Sequence, residues 1–188
     1  SYAIINQEDF RGPLLLPELL PQAVITRTFT DFAGQTYATI HARASGQVSA
    51  RPPQVRVSAP LGDGIALLGY DVQPAMPRPG DLIYLQLHWL VDAPPTRDWT
   101  VFTHLIAPAA SGAGQVAGKD APPGNGSLVT TRWQAGWRVL DEYQIQLPTD
   151  LPTGEYTLAT GLYTADGAHL PLGANAVTLG SIFIEGAP

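Results

Sequence analysis

Two tryptophans placed four residues apart are the best candidates for a binding site in this sequence. Trp133 and Trp137 flank a Gln-Ala-Gly turn, with Arg132 and Arg138 as their outer neighbours. Indole rings stack on the apolar faces of sugars, while amide and guanidinium groups can hydrogen-bond to sugar hydroxyls. Our candidate carbohydrate-binding residues are therefore Trp133, Trp137, Arg132 and Gln134.

The same two rings have a second interpretation, which we favour. Tryptophan is highly buried on average, and burying one such side chain stabilises a fold by about 2–3 kcal/mol. We therefore expect at least one of Trp133 and Trp137 to plug the open end of a β-sandwich. Trp89 is expected in the core, and Trp99, at a strand start, is compatible with either environment.

The residue pattern does not indicate a catalytic centre. Glycoside hydrolysis needs two carboxyl groups about 5–9.5 Å apart. Asp141, Glu142 and Asp120 are the candidates, but nothing in their spacing brings them together. No GxSxG nucleophile motif, GxGxxG motif or P-loop occurs. We therefore predict no catalytic residues and no cofactor.

The histidines do not indicate a metal site either. The four histidines are His41, His88, His104 and His169, and none occurs in an HxH or HxxxH spacing. His88 and His104 fall on separate predicted strands, where ordinary hydrogen bonds are the simpler expectation. The chain has no cysteine, which excludes disulfides and thiolate ligands. We therefore predict no bound metal.

The composition is typical of a globular β-protein. The 188 residues are 45% hydrophobic and only 14% charged, with 19 glycines and 18 prolines. These values allow a packed core and favour many short strands joined by turns. The formal net charge is −6 and Lys119 is the only lysine. Nucleic acid is therefore a poor partner, because binding its phosphates requires clustered positive charge.

No apolar run approaches the roughly 18 residues that a membrane span needs. The apolar stretch at 14–20 is interrupted and flanked by Pro13, Pro17 and Pro21. No signal peptide is recognisable, and the chain starts with an apolar, strand-like segment. We therefore expect a fragment of a longer protein, with its targeting segment upstream.

We expect the strand Tyr156–Thr164 to organise the rest of the fold. A turn containing Pro152 and Gly154 precedes it, and side chains then alternate with a period of two. A tyrosine at the start of such a strand is typical of the tyrosine corner of immunoglobulin-type sandwiches. Tyr156 is therefore predicted to pack inward and to hydrogen-bond to nearby backbone.

The remaining elements predict a mainly β protein, an immunoglobulin-like antiparallel β-sandwich with a small N-terminal α/β segment. Residues 1–43 would form the α/β segment, with a broken helix at about 7–20. Residues 44–54 would form a linker, and residues 55–188 would form the sandwich of about seven strands. The other predicted strands are Tyr2–Ile5, Gln22–Thr30, Gln35–Arg43, Val55–Ser58, Ile65–Val72, Asp81–Val91, Trp99–Ala107, Gln115–Lys119, Arg138–Leu147 and Val177–Glu185.

Several turn and core motifs occur in an order found in one family. They are Leu68–Asp71, Arg78–Asp81, Leu87–Trp89, Trp99–Leu105, Trp133–Gly136, Leu151–Tyr156 and Gly161–Tyr163. In this order they resemble the soluble C-terminal β-sandwich of bacterial protein-mannosyltransferase-like membrane glycosyltransferases, which use polyprenyl-phosphate sugars. Residues 1–43 resemble the end of the extracytoplasmic α/β segment that precedes that sandwich.

The resemblance implies a non-catalytic accessory domain. The family's catalytic and lipid-phosphate-binding residues lie in membrane loops that have no counterpart in this sequence. The domain would lie on the extracytoplasmic face of the bacterial cell membrane, tethered by an upstream transmembrane region, and would there contact a glycan or protein acceptor. A free carbohydrate-binding module and a scaffold or protein-interaction sandwich are the alternatives.

Overall fold

The computed structural model describes residues 2–6, 24–30, 32–42, 52–126, 128–171, 173 and 176–186. The chain divides into two compact units between Pro52 and Pro53. The predicted broken helix at 7–20 and most of the predicted linker lie outside the described residues, and both stay predictions. No helix among the described residues is long and apolar enough to cross a lipid bilayer.

The first unit contains a three-stranded antiparallel sheet. Its strands are β1 (Tyr2–Asn6), β2 (Val24–Thr30) and β3 (Thr36–Ala42), in the order β1-β3-β2. Valine, isoleucine, threonine and aromatic residues recur in these segments, as expected for strands. The three strands lie where the sequence predicted them, within two residues at each end.

The second unit is a β-sandwich of two antiparallel sheets. The first sheet has the order β4-β5-β6-β9. Its strands are β4 (Val55–Gly62), β5 (Ile65–Gln73), β6 (Leu82–Val91) and β9 (Arg138–Gln146). The mainly β fold class predicted from the sequence is therefore confirmed.

The second sheet has the order β11-β10-β7-β8, with β12 also paired to β10. Its strands are β7 (Thr100–Ile106), β8 (Gln115–Ala121), β10 (Gly154–Tyr163), β11 (His169–Leu170) and β12 (Val177–Ile184). Short 3-10 turns occur at Ala109–Ser111 and Thr130–Arg132, and Pro123–Gly126 is a turn in which Gly124 and Asn125 have positive φ, 59° and 52°. The central strand β10 pairs with β7, β11 and β12, so it does organise this sheet.

The core lies between the two sheets and follows the alternation of the strands. On β6, Ile83, Leu85, Leu87 and Trp89 are fully buried. On β10, Tyr156, Leu158, Thr160 and Leu162 face inward and are buried as well. Each of these side chains alternates with one on the outer face of its sheet. The residues that remain on the outer face of the second sheet are the ones that build the site described below.

The tyrosine corner is confirmed. Tyr156 is 4% exposed, and its hydroxyl donates a 2.8 Å hydrogen bond to the carbonyl oxygen of Pro152. The bond ties the start of β10 to the turn that precedes it.

The first strand of the sandwich is longer than predicted. The prediction that this strand ends at Ser58 was wrong, because β4 continues to Gly62. The actual hairpin turn is Asp63-Gly64, and both residues have positive φ, 47° and 73°, as a tight two-residue hairpin requires. Pro60 is tolerated because β4 is an edge strand, on which a missing backbone N–H need not break a ladder bond.

Candidate functional site

A groove of about 420 Å³ lies on the outer face of the second sheet. Strands β7 and β10 form its floor, β8 supplies one wall and β11 the other. It is lined by Phe102, His104, Ile106, Asp120, Ala159, Tyr163, His169 and Ala176. The floor is therefore apolar, and the polar groups stand at the rims.

Four rings cross the groove in a row. The ring centroids of His104 and Phe102 are 4.6 Å apart, those of Phe102 and Tyr163 are 6.5 Å apart, and those of Tyr163 and His169 are 6.2 Å apart. Phe102 is buried beneath its neighbours, whereas Tyr163 and His104 are half-buried and His169 is exposed. The rings of His104, Tyr163 and His169 are therefore accessible to solvent, and the buried ring of Phe102 supports them from below.

Asp120 interacts with two rings of this row. Its carboxylate lies 3.0 Å from Nε2 of His104. Burial raises the pKa of Tyr163, and the negative charge of Asp120 and a hydrogen bond to it raise that pKa further. Asp120, on β8, therefore interacts with a side chain from β7 and one from β10, which limits how these rings can turn.

Two glycines make room for the rings. A Cβ atom on Gly161 would lie 2.6 Å from two atoms of the Phe102 ring, and one on Gly118 would lie 2.9 Å from Cδ2 of His104. Contacts this short are not tolerated in packed proteins. The ring of Phe102 therefore leans across β10, and that of His104 leans across β8, only because these positions lack side chains.

This arrangement has the side chains that a carbohydrate-binding surface needs. Rings at the surface can stack on a sugar face, and the carboxylate, imidazole and phenol groups can hydrogen-bond to hydroxyls. The described residues that line the groove include no serine, threonine or cysteine next to the His104–Asp120 pair. The hydroxyl group beside the pair is the phenol of Tyr163, which hydrogen-bonds to Asp120.

The sequence-predicted sugar site lies elsewhere, and its two rings have different environments. Trp133 is 1% exposed, and its indole N–H donates a 2.9 Å hydrogen bond to the Leu128 carbonyl. This ring is a plug of the sandwich and presents no free face. Trp137 is half-buried, while Arg132 and Gln134 are exposed. Sugar binding at Trp137 stays a prediction.

The carboxylates considered for hydrolysis lie on two sheets and on different faces. Asp141 faces the core on β9, Glu142 follows it on the opposite face, and Asp120 lies in the groove on the other sheet. Tyr143 donates a 2.5 Å hydrogen bond to Asp141, and the Gly124 backbone N–H donates one of 2.9 Å. Burial raises the pKa of Asp141 to about 6, against the effect of these hydrogen bonds.

Trp89 completes the surroundings of the buried carboxyl group. Its indole N–H is close enough to help lower the pKa of Asp141, although it meets no partner within ordinary hydrogen-bond geometry among the described residues. We regard this as a long polar contact. The alternation of β9 directs Asp141 inward.

The two central histidines make hydrogen bonds to carboxylates. His88 lies 2.9 Å from Asp71 in a buried pair on the outer side of β5 and β6, and His104 pairs with Asp120. Within the described part of the chain, no three metal-ligating side chains of His, Cys, Asp or Glu cluster. The residues of the groove therefore offer polar contacts without a recognisable ligand set.

Sequence reasoning missed Phe102, Tyr163 and His169 as site residues. One signal was present: Phe102 and His104 are two apart on β7, and Gly161 and Tyr163 are two apart on β10, so each pair shares a face. The register that brings the pairs together, with Gly161 opposite Phe102, cannot be obtained from spacing.

Comparison with known proteins adds little beyond the fold. No protein-family model matches the chain, and no curated protein matches it in sequence. Among solved structures, the chain is similar to one described as the crystal structure of the C-terminal domain of wzt. The two are 14% identical, with a TM-score of 0.45, and the match covers 72% of this chain and 82% of that chain. At this level the likeness carries no argument about function.

Proposed function

We propose that this chain is a non-catalytic accessory domain that binds glycan in the groove of its second sheet. The observation that carries the proposal is the row of rings from His104 through Phe102 and Tyr163 to His169, with Asp120 beside it. Apolar ring faces beside planar polar groups are what sugar rings need, since a sugar has an apolar face and a hydroxyl-bearing rim.

The groove predicts weak binding. It is open to solvent, and only part of each exposed ring is available for contact. A single shallow site of this kind is expected to have a dissociation constant on the order of 1 mM, which corresponds to about −4 kcal/mol.

We further propose that the domain belongs to a polyprenyl-phosphate-sugar-dependent membrane glycosyltransferase and lies on the extracytoplasmic face of a bacterial membrane. The support is the order of turn and core motifs along the sequence. In that setting the groove would hold a glycan, or the domain would contact a protein acceptor. An upstream coding sequence that encodes many apolar segments of 20 residues would support this setting. A gene without such segments would contradict the setting but would leave the proposal of glycan binding in the groove unaffected.

The groove is tested by titrating the ¹⁵N-labelled chain with mannose and glucose oligosaccharides at millimolar concentration. We expect chemical-shift changes at Phe102, His104, Tyr163 and His169, and we expect the Tyr163→Ala variant to lose most of the affinity. Tyr84→Ala is the matched control, because Tyr84 is a half-buried tyrosine on β6 in the other sheet. This control should bind as the wild type does.

Three outcomes would contradict the proposal. They are an absence of shifts with every oligosaccharide, shifts that map to the turn at Trp137 instead of the groove, and equal losses in the Tyr163→Ala and Tyr84→Ala variants. Shifts that map to Trp137 would support the sugar site at the tryptophan turn that the sequence predicts.

A further inference from the structure

An exposed phenylalanine lies on the same sheet face as the groove but outside it. Phe183, on the edge strand β12, is 47% exposed. It pairs with Glu155 of β10, while its neighbours Ile182 and Ile184 are buried in the core. Because side chains alternate across a strand, Phe183 must point to the outer face, where the groove opens.

The residues between the groove and Phe183 form a continuous strip on that face. Outward positions on β10 run from Tyr163 through Gly161, Ala159 and Thr157 to Glu155. Thr157 pairs with Ile106 of β7 on one side and with Ser181 of β12 on the other. Ile106 also lines the groove, so the strip begins where the groove ends.

The strip is long enough for several sugar units. Tyr163 and Glu155 are eight residues apart on β10, which corresponds to about 26 Å along an extended strand. Rings stand near both ends, with Tyr163 and His169 at one and Phe183 at the other. Between them lie small apolar groups and hydroxyl side chains, namely Ala159, Thr157, Thr178 and Ser181.

The charged groups of the strip favour uncharged glycans over anionic ones. Its carboxyl groups are Asp120, beside His104, and Glu155 near Phe183, and none of the outward positions described above is lysine or arginine. Two carboxylates with no lysine or arginine at these positions repel uronate, sulfate and phosphate groups. Hydroxyl and ring groups, in contrast, suit an uncharged chain.

We infer that the groove is one end of an extended cleft, in which a neutral, linear oligosaccharide lies lengthwise along β10 and stacks its far end on Phe183. This inference rests on the proposed function, since it assumes that the groove binds sugar. Beyond the proposed function, it states that the ligand spans several sugar units, runs parallel to β10, carries no charge and stacks on a second aromatic ring.

The test is the dependence of affinity on chain length. Isothermal titration with mannose homo-oligomers of two to six units, and separately with glucose homo-oligomers, should give an affinity that rises by about tenfold from the shortest to the longest, as one more stacked ring allows. Phe183→Ala should abolish this rise and leave the disaccharide affinity unchanged. Galacturonate oligomers of the same lengths should bind more weakly than the neutral ones.

Met76→Ala is the matched control, because Met76 is exposed to a similar degree, 55%, outside the strip. A length dependence that persists in Phe183→Ala, or disappears equally in Met76→Ala, would overturn the cleft while leaving the groove intact. Tighter binding of galacturonate oligomers would overturn the charge class. Failure of all lengths of both neutral sugars would overturn the proposed function and the cleft together.

Discussion

Tyr156 fixes the start of the central strand through a single hydrogen bond. Its buried ring and the 2.8 Å bond to Pro152 join a core residue to the turn before β10. Removing only the hydroxyl keeps the packing and leaves the Pro152 carbonyl without that donor. We expect Tyr156→Phe to lower the free energy of unfolding by about 0.5–1.5 kcal/mol. An unchanged urea midpoint would reject the corner.

Asp141 is expected to make the stability depend on pH. Because burial raises its pKa from 3.8 to about 6, the folded chain binds more protons than the unfolded chain between these two values. The free energy of unfolding should therefore be highest at low pH within this window and should fall as pH rises, by roughly 3 kcal/mol in all, until Asp141 is ionised in both states.

The Asp141→Asn variant isolates this effect, because an amide can still accept the Gly124 hydrogen bond but does not titrate. The free energies of unfolding of the wild type and the variant should be measured in urea from pH 4 to pH 8. The difference between the two free energies should change steadily up to about pH 6 and should be constant above about pH 7. Parallel pH profiles for the two chains would show that Asp141 does not titrate with a raised pKa.

At the scale of elements, the tryptophan turn is attached to the end of β6 by the backbone. The Val91 N–H donates to the Trp137 carbonyl at 2.9 Å, and the Gly136 N–H donates to the Val91 carbonyl at 2.7 Å. Trp133 extends from this turn into the core. Trp133→Ala should therefore cost about 3–5 kcal/mol, as large core truncations do.

Trp137→Ala should cost less, because its ring is only half-buried. Urea unfolding of the two variants measures the difference directly. Small and equal losses of unfolding free energy in both variants would mean that Trp133 does not plug the sandwich. A Trp137→Ala variant that keeps its full stability but no longer binds sugar would favour the sugar site predicted from the sequence.

Gly161 lets the ring of Phe102 rest on β10. An added Cβ would meet two Phe102 ring atoms at 2.6 Å and the Leu170 carbonyl oxygen at 2.8 Å, so the ring or the β11 backbone must move. We expect Gly161→Ala to lose about 1–3 kcal/mol of stability and to weaken oligosaccharide binding in the NMR titration.

Gly154→Ala on the same strand is the matched control, since a Cβ there meets nothing within 4 Å. Its stability and binding should stay close to those of the wild type. Equal effects of the two substitutions would show that the space above Gly161 does not position Phe102.

For the whole molecule, we expect no enzymatic turnover. The candidate carboxylates are distributed over two sheets, and the described residues that line the groove include no serine, threonine or cysteine beside the His104–Asp120 pair. Release of nitrophenol from nitrophenyl glycosides and esters should not exceed the rate in buffer, with or without a chelator. Turnover that disappears in His104→Ala would contradict this expectation.

The sequence by itself determined the strands except β11 (His169–Leu170), because period-two alternation and turn residues are local signals. The burial of Ile83, Leu85, Leu87 and Trp89 and the corner at Tyr156 follow from positions within one strand and its turn. The end of β4 was misplaced because Pro60 normally indicates a break, and only its edge position in the sheet makes it acceptable.

Only the tertiary structure decided where the groove is. Phe102, Asp120, Tyr163 and His169 come from four strands, and their meeting depends on the pairing register of β7 with β8 and β10 and of β10 with β11. Such pairing joins residues as many as 63 positions apart, as for Thr100 and Tyr163, and no local pattern specifies it. A one-residue slip would turn every one of these side chains to the other face of the sheet, so the site is a product of register.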